Sequence, residues 1–356
     1  MRSVCEFRIH EEFAPLLFAA NEGQRLSKNI RKLVLYEDDP KFQRVGELRK
    51  ILRKSHNDLF FSGWDLRYEY DKGELAAAAL FHLKIKSIFE PTGLDCGTQY
   101  DYSEVCPDCS VPRRQEGPLI LDLRKAPKTK ELACTLAGDE WIVSQHLAEL
   151  LVDAGLTGLD LQRVRHKARY EDDAIDLRDV PSGRELIKQG EAAGYGYLSI
   201  EFSTWVARPA QHELWERART ENAEQKRARA SRRRDKLPVW YQIILTSKPA
   251  ICVPPTRFGI NPFDDDFRGE YRCPRSQYNP NAEHVAGLNL LSEVSVARDS
   301  WDSSDICRTT QRCGWVLSPE RAKPSPEPQL LISPHFRQVL LDNKIKGFKT
   351  DVAYLR

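Results

Sequence analysis

The chain lacks any stretch that approaches the roughly 18 consecutive apolar residues needed to cross a membrane. Its longest apolar run, Leu75 to His82, is far shorter than that. The N-terminal stretch MRSVCEFRIHEEF carries acidic residues and has no apolar core of a secretory signal. These absences predict a cytoplasmic protein that does not associate with membranes.

The chain also lacks an excess of either charge. Its 356 residues include 54 Lys and Arg against 52 Asp and Glu, so the formal net charge is only +2. The chain as a whole is therefore not expected to bind polyanions, and any such affinity must come from a local patch. The length suits two ordinary domains.

Motifs that identify common enzymes are absent as well. The sequence contains no phosphate-binding G-x-x-x-x-G-K-[ST] loop, no G-x-G-x-x-G, no H-E-x-x-H and no G-x-S-x-G. We therefore expect a protein that is not an enzyme. An enzyme of unknown type stays open as a third hypothesis, which a deep pocket with converging titratable groups would favour.

One segment is present twice. Residues 141–164 read WIVSQHLAELLVDAGLTGLDLQRV and residues 330–353 read LLISPHFRQVLLDNKIKGFKTDVA. Aligned without gaps, Ser144 matches Ser333, His146 matches His335 and Gly158 matches Gly347, each pair 189 positions apart. In each copy a serine precedes an apolar helical face and can cap its first turn, and strand-like alternation follows. Each segment therefore predicts a strand–helix–strand unit.

The repeat extends upstream in weaker form. A strand-like run, then Pro-Thr, then Cys-Pro precedes each unit, with Pro91 and Cys106 in the first half and Pro255 and Cys273 in the second. The sequence thus predicts an α+β fold built from two diverged copies of one module. We expect an N-terminal module at 1–168 and a C-terminal module at 169–356. Chance similarity between two common strand–helix–strand units is the alternative.

Other elements follow from hydrophobic periodicity. Residues 45–54 have the apolar spacing of an amphipathic helix, and residues 64–70 and 81–89 alternate like strands with one buried face. The first copy has Gly155 at the end of its helix, where a left-handed residue is suited. The second copy has Lys344 at the equivalent position, and we expect its neighbour Asn343 to adopt the left-handed conformation. Residues 209–235 predict a long charged helix that ends before Pro238.

The nine cysteines are odd in number and lack a secretory context, so we expect thiols or metal ligands rather than a disulfide framework. Cys106 and Cys109 form a C-x-x-C pair, which is half of a tetrahedral zinc site. We predict one structural zinc site in the N-terminal half with Cys96, Cys106, Cys109 and Cys134 as its ligands. A cysteine pair left from a metal-binding ancestor is one alternative, and a redox pair is another.

Two charged segments could bind partners. The predicted helix carries Trp215 and a basic run that includes Arg232, Arg233 and Arg234, which could contact phosphates or an acidic protein. The run Asp264, Asp265 and Asp266 could face a basic partner or hold a metal ion, although it lacks calcium-loop spacing. A solvated helix face and an exposed loop are the simpler interpretations. His146 and His335 follow helix caps, and we expect structural roles for both.

The pattern C-G-T-x-Y-D…C-P-x-C followed by I-V-S-x-x-L-x-x-L-L-x-x-A-G-L-x-G resembles the bacterial double-CXXCG-motif proteins, which are similar to immunity proteins of polymorphic toxin systems. The matching positions are Cys96, Cys106, Cys109, residues 141–164, Cys273, Cys313 and residues 330–355, about half of the chain. Ser110 and Ser276 depart from the pattern. The resemblance implies a protein that docks on a toxin domain and blocks its active surface.

Two functions are therefore expected. The first is a cytoplasmic, non-enzymatic immunity-type protein that neutralises a cognate toxin by direct docking, with Trp205, Trp215, Trp240 and the arginine run as anchors. The second is a zinc-stabilised nucleic-acid-binding protein that uses the basic helix at 217–236.

Overall fold

The computed structural model describes residues 2–19, 21–56, 60–167, 177–197, 199–234, 237–264, 271–277, 283–314 and 326–356. At 53–56, 200, 226–234 and 276–277 only the backbone is described. The eight described α-helices are α1 Pro40–His56, α2 Lys72–Ala77, α3 Gly93–Cys96, α4 Gln145–Asp153, α5 Pro181–Ala192, α6 Ile200–Val206, α7 His212–Arg234 and α8 Pro334–Asp342.

The strands are mostly short, and several pair with partners far away in sequence. They are β1 Arg2–His10, β2 Gln24–Arg25, β3 Ile30–Tyr36, β4 Phe61–Glu69, β5 Leu80–Ile85, β6 Ile88–Phe89, β7 Gln99–Asp101, β8 Arg114–Glu116, β9 Ile120–Leu121, β10 Leu132–Thr135, β11 Trp141–Ser144, β12 Leu159–Arg163, β13 Arg165–His166, β14 Trp240–Leu245, β15 Phe258–Gly259, β16 His284–Gly287, β17 Asn289–Leu290, β18 Ser295–Val296, β19 Ile306–Cys313, β20 Glu327–Ile332 and β21 Phe348–Leu355. Helices and mixed sheets in one chain confirm the predicted α+β class.

The chain divides into two compact units. Unit 1 comprises residues 1–119, 125–164 and 240–356, and unit 2 comprises residues 120–124 and 165–239. These boundaries differ from the predicted modules 1–168 and 169–356. The difference arises because strands from both halves of the chain share the sheets of unit 1, whereas unit 2 is mainly an insertion between β12 and β14.

The N-terminal part of unit 1 is a four-stranded antiparallel sheet in the order β2-β3-β1-β4. Helix α1 contributes Val45 and Leu48 to a core that also contains Phe7, Ile9 and Leu33. The amphipathic helix predicted at 45–54 and the strand predicted at 64–70 are therefore confirmed, with somewhat wider bounds.

Two further sheets of unit 1 each contain one of the predicted strand–helix–strand units. One has five strands in the order β12-β14-β11-β10-β6, and the other has six in the order β16-β19-β20-β5-β21-β18. In the first, β14 lies antiparallel between β11 and β12. In the second, β5 lies antiparallel between β20 and β21. Each unit is thus completed by a strand from the other half of the sequence.

The two arrangements have the same register. Ile142 pairs with Gln242 and Leu159 with Leu245 in the five-stranded sheet. At the matching positions of the six-stranded sheet, Leu331 pairs with His82 and Phe348 with Ile85. Equivalent residues of the two strand–helix–strand segments are 189 positions apart in sequence. The residues that they pair with, in β14 and β5, are in each case 160 positions apart. We call this reciprocal pairing the strand exchange; duplication of an ancestral module stays a prediction.

Within unit 1, one hydrophobic core joins the two strand–helix–strand segments. It contains Leu147 and Leu151 of α4, Phe336 and Leu340 of α8, and apolar residues from both sheets. The predicted serine caps are present, because Ser144 Oγ accepts from Leu147 N at 3.2 Å and Ser333 Oγ accepts from Phe336 N at 3.0 Å. The sequence repeat therefore corresponds to scaffold elements.

The end of α8 differs from our expectation. Asn343 has a right-handed φ of −89°, and Lys344 itself adopts the left-handed conformation with φ +53°, as Gly155 does with φ +64°. The prediction that Asn343 takes the left-handed role was wrong. The turn between α8 and β21 thus has its left-handed residue at the position equivalent to Gly155.

Unit 2 is mainly helical. Helix α5 packs against α7, and Leu186, Phe202, Trp205 and Ala218 lie in its core. Glu221 of α7 accepts hydrogen bonds from Ser182 N at 3.0 Å and Ser182 Oγ at 2.6 Å. The long helix predicted at 209–235 is confirmed as α7. None of the described helices is both long and apolar enough to cross a membrane.

Candidate metal centre

Four buried side chains converge in unit 1, and all four are residue types that bind metal ions: Cys106, Cys109, Cys273 and His284. Their ligand atoms all lie within 4.8 Å of one another. Cys106 Sγ lies 3.6 Å from Cys273 Sγ. His284 Nδ1 lies 3.6 Å from Cys273 Sγ and 3.8 Å from Cys109 Sγ.

The three separations of 3.6, 3.6 and 3.8 Å match the edges of a zinc coordination sphere. With Zn–S bonds of about 2.3 Å and Zn–N bonds of about 2.0–2.1 Å, a tetrahedron has ligand-to-ligand edges of about 3.5–3.8 Å. Three thiolates and one imidazole are also a donor set that structural zinc sites use. The residues therefore fit one zinc ion with four protein ligands.

The loop that holds Cys106 and Cys109 is a tight turn. Cys106 O accepts a hydrogen bond from Ser110 N at 2.7 Å, and Cys106 N donates to Val111 O at 3.0 Å. Ser110 adopts φ +56°, the left-handed conformation that favours glycine. Ser110 therefore adopts at this turn a conformation that glycine takes without strain, at a conformational cost of about 1–2 kcal/mol.

The other two ligands come from the second half of the chain. Cys273 N donates to Val285 O at 2.8 Å, which repeats the bond between Cys106 and Val111. His284 is the first residue of β16, which pairs with β19 and so fixes the backbone of the ligand. Each half of the chain therefore supplies two ligands.

Burial and hydrogen bonds set the protonation of the ligands. Although burial opposes ionisation, backbone N–H groups of Asp108 and Cys109 donate to Cys106 and hold the pKa of its thiol below the ordinary value. Burial raises the pKa of Cys109 and of Cys273, and it lowers the pKa of His284. His284 is thus neutral and able to ligate, whereas the thiols of Cys109 and Cys273 need a nearby cation to stay deprotonated.

Charged pairs surround the ligands on two sides. Arg275 Nε lies 2.6 Å from Asp108 Oδ2, so the two cysteine loops are joined by an ion pair. Glu283, which precedes His284, accepts from Arg312 Nη2 at 2.6 Å and from Arg308 Nη2 at 2.5 Å. Since Arg312 is fully buried, this pairing anchors the residue next to the histidine ligand.

The structure corrects two of the four predicted zinc ligands. Cys106 and Cys109 belong to the cluster, but Cys96 and Cys134 do not. Cys134 lies on β10, where it pairs with Trp141 and packs into the core shared by α4 and α8. Cys96 is the last residue of α3 and is buried there. The site is also not confined to the N-terminal half.

Cys273 and His284 were missed by the sequence prediction. Ser276 occupies the position of a second C-x-x-C thiol, so the second loop contains only one cysteine and does not match a zinc motif by itself. The histidine that replaces this thiol lies eight positions further on. The available signal was the repeated Cys-Pro pair, taken together with the nearest histidine downstream.

The predicted partner-binding residues have varied surroundings. Trp215 packs partly against the core of unit 2. The side chains of Arg232, Arg233 and Arg234 lie outside the described residues, as do Asp265 and Asp266 entirely. Asp264 is engaged within the chain, because its Oδ2 lies 2.7 Å from Arg49 Nε and Asn261 also donates to it. Asp264 therefore holds its loop to α1 instead of facing a basic partner.

His146 and His335 occupy equivalent places. His146 Nδ1 lies 2.5 Å from Glu131 Oε1, and His335 Nδ1 lies 3.6 Å from Asp305 Oδ1. Glu131 and Asp305 each precede the first strand of a hairpin, and each accepts a backbone bond from the capping serine. Both histidines thus contact the residue that links the helix to its sheet.

No protein-family model matches the chain, and searches of curated proteins and of solved structures also return no match.

Proposed function

We propose that this chain is a zinc-stabilised, non-enzymatic protein that binds a partner protein, and that it acts as an immunity-type protein. The observation that carries the proposal is the closed set of three cysteines and one histidine, to which both halves of the chain contribute. A set with four protein ligands leaves no open position for a substrate, which is typical of a structural zinc and not of a catalytic one. Bound zinc would tie the halves together.

Duplication of one ancestral module is part of the proposal. The strand exchange, the equivalent caps of α4 and α8, and the two ligands from each half all support it. On this interpretation the two C-P-x-C-like loops are halves of one zinc site. That also accounts for the departure at Ser276, because His284 supplies the missing ligand.

The immunity-type role is supported by the resemblance of the cysteine loops and of the strand–helix–strand units to the double-CXXCG-motif proteins. A rigid scaffold without a catalytic metal suits a protein that acts by covering another protein's surface. The proposed location is the cytoplasm, where reduced thiols persist and can hold zinc.

Metal analysis tests the first part of the proposal. Protein purified without chelator should contain one zinc ion per chain by mass spectrometry of the digested sample, and Cys273→Ser should remove it. A full-length, folded protein without zinc would contradict the proposal.

Toxin neutralisation tests the second part. Candidate toxins are the products of genes adjacent to the gene for this chain, expressed with and without it. The expected result is that cells survive one such toxin only when this chain is present, and that the purified pair forms a complex. If cells die equally in both cases with every neighbouring product that is toxic, the immunity role is refuted.

Nucleic-acid binding through α7 is the second candidate, and the observation that favours it is the continuous 23-residue basic helix. A gel shift with duplex DNA that weakens with salt, and that is lost when Arg232, Arg233 and Arg234 are changed to Gln, would support it.

A further inference from the structure

Five lysines lie on three segments that meet in unit 1, and we call them the lysine face: Lys86, Lys130, Lys344, Lys346 and Lys349. Lys130 is half-buried and the others are exposed. Lys86 N donates to Gly347 O at 2.8 Å. The side chain of Lys130 passes 3.4 Å from the place that a Cβ on Gly347 would take. Gly347 is therefore the point where the three segments converge.

The lysine face is not neutralised by the residues that the structure describes. No ion pair within 4.0 Å joins any of the five lysines to a carboxylate of the described residues. The neighbouring acids have other partners: Glu131 contacts His146, Asp342 accepts from Gln338, and Asp351 pairs with Lys84. The positive charge is thus available to a partner.

The fold does not require these lysines, because the strand exchange supplies an internal comparison. Gly158 is equivalent to Gly347, and a Cβ on Gly158 would contact Ser304 where one on Gly347 would contact Lys130. Around Gly158 the positions equivalent to Lys86, Lys130, Lys344, Lys346 and Lys349 hold Thr246, Ser304, Gly155, Thr157 and Asp160. The five lysines around Gly347 therefore have no lysine counterpart at the equivalent positions around Gly158.

Lys344 adds a second observation. Its φ of +53° is unfavourable for a residue with a Cβ, whereas Gly155 adopts φ +64° at the equivalent position without that cost. Local strain of this kind persists at functional sites. A lysine at this position therefore points to a use for its charge.

Exposed apolar side chains lie beside the lysines. Ile88, two residues after Lys86, is 57% exposed, and Leu341, one helical turn before Lys344, is 44% exposed. Nucleic-acid backbones gain little from aliphatic side chains, whereas protein interfaces combine an apolar centre with a charged rim. The combination favours a protein partner with acidic and apolar residues.

We propose that the lysine face binds an acidic surface of the partner protein through Lys86, Lys130, Lys344, Lys346 and Lys349, with Ile88 and Leu341 in apolar contact. This inference rests on the proposed partner-binding function and specifies the chemistry of the partner.

Fluorescence anisotropy at low salt tests the proposal with three labelled probes: a (Glu-Glu-Leu)5 peptide, a poly-Glu peptide of equal charge, and duplex DNA. The (Glu-Glu-Leu)5 peptide should bind most tightly. The variant Lys86→Glu, Lys130→Glu, Lys346→Glu should lose about tenfold in affinity, because three attractions become repulsions. Absence of peptide binding by the wild-type protein, or tighter binding of the DNA, would overturn the proposal.

The matched control changes three other exposed lysines, Lys50, Lys72 and Lys248, to Glu. It alters net charge equally and should change affinity by less than about twofold, since these three lysines lie far apart in sequence. An equal loss in the control would show that only net charge matters. If the lysine-face variant still neutralises a toxin, this inference fails while the proposed function stands.

Lys344→Gly separates binding from folding. The substitution should raise the midpoint of thermal unfolding by about 2 °C, because glycine relieves the left-handed strain. It should also weaken binding of the (Glu-Glu-Leu)5 peptide about twofold, because one attraction is removed. Unchanged affinity in this more stable protein would remove Lys344 from the proposed surface.

Discussion

At the scale of single residues, the candidate metal centre includes a histidine that follows no recognisable zinc motif. His284 takes the place of a second thiol in the C-terminal loop and lies 3.6 Å from Cys273 Sγ. We expect Cys273→Ser or His284→Ala to lower zinc affinity by roughly 100-fold or more, since even outer-shell changes cost 10–100-fold. Zinc content and competition with a chromogenic chelator measure this.

Cys96→Ser is the matched control for these variants. Cys96 is a buried cysteine near the first loop in sequence, but it lies outside the cluster. The variant should keep one zinc ion per chain. Loss of zinc from Cys96→Ser with retention in His284→Ala would restore the ligand set expected from sequence and refute the one described.

His82 is a second residue with a measurable consequence. Burial, reinforced by the charge of Lys84, lowers the pKa of His82 to about 3 from 6.5. Between these values the unfolded chain binds a proton that the folded chain does not, so the free energy of unfolding falls as the pH falls from about 6.5 towards 3. From pH 6.5 to 4.5 the loss due to His82 is about 2–3 kcal/mol.

His82→Gln isolates this effect, because the equivalent position in the other inserted strand is Gln242. Urea unfolding at pH 6.5 and pH 4.5 should show a smaller decline for the variant than for the wild type. Equal declines in the two proteins would mean that His82 is not held neutral by burial.

At the scale of elements, the strand exchange is supported by a reciprocal contact at Gly158 and Gly347. A Cβ on Gly158 would lie 2.5 Å from Ile306 O, and one on Gly347 would lie 3.2 Å from Leu132 O. Both glycines have positive φ. We expect Gly158→Ala to cost about 3 kcal/mol or more, and Gly347→Ala about 1–2 kcal/mol, because only the first forces backbone apart.

Thermal unfolding of the two alanine variants measures the difference. Gly155→Ala is the control, since a Cβ there would meet no atom within 4 Å and only its left-handed φ opposes the change. If Gly158→Ala is no worse than Gly155→Ala, the close approach of Gly158 to Ile306 O does not contribute to stability.

Local patterns predicted the elements well and their partners poorly. Serine caps and leucine spacing were sufficient for α4, α8 and their flanking strands, because those signals act within a few residues. No local sequence pattern indicates that β5 pairs with β20 and β21, since its apolar alternation would suit either sheet. The predicted set of metal ligands was incomplete for the same reason. Cys106 and Cys273 are 167 positions apart in sequence, and only the tertiary fold brings their sulfur atoms to a distance of 3.6 Å.

At the scale of the whole molecule, most of unit 2 is inserted at the tip of a hairpin. Arg163 pairs with Tyr241, and Val164 N donates to Trp240 O at 2.9 Å, so the two ends of the insertion are adjacent. Replacing residues 165–239 by Asn-Gly should close β12 and β14 with a two-residue turn. We expect the shortened protein to fold, to bind one zinc ion and to keep the lysine face.

The shortened protein also discriminates between the proposed surfaces. It should bind the (Glu-Glu-Leu)5 peptide like the full chain, whereas any DNA binding through α7 should disappear. Aggregation or loss of zinc from this variant would show that unit 1 depends on the inserted residues.

The strand exchange has a consequence for synthesis of the chain on the ribosome. Strand β5 is translated well before its neighbours, because β20 begins about 240 residues later and β21 ends about 270 residues later. At 5–20 residues per second, β5 must wait roughly 14–54 s for both of its partners. During that time Leu80, Phe81 and Leu83 have no native sheet to join. The nascent chain is thus open to aggregation and to capture by chaperones until its last strand is complete.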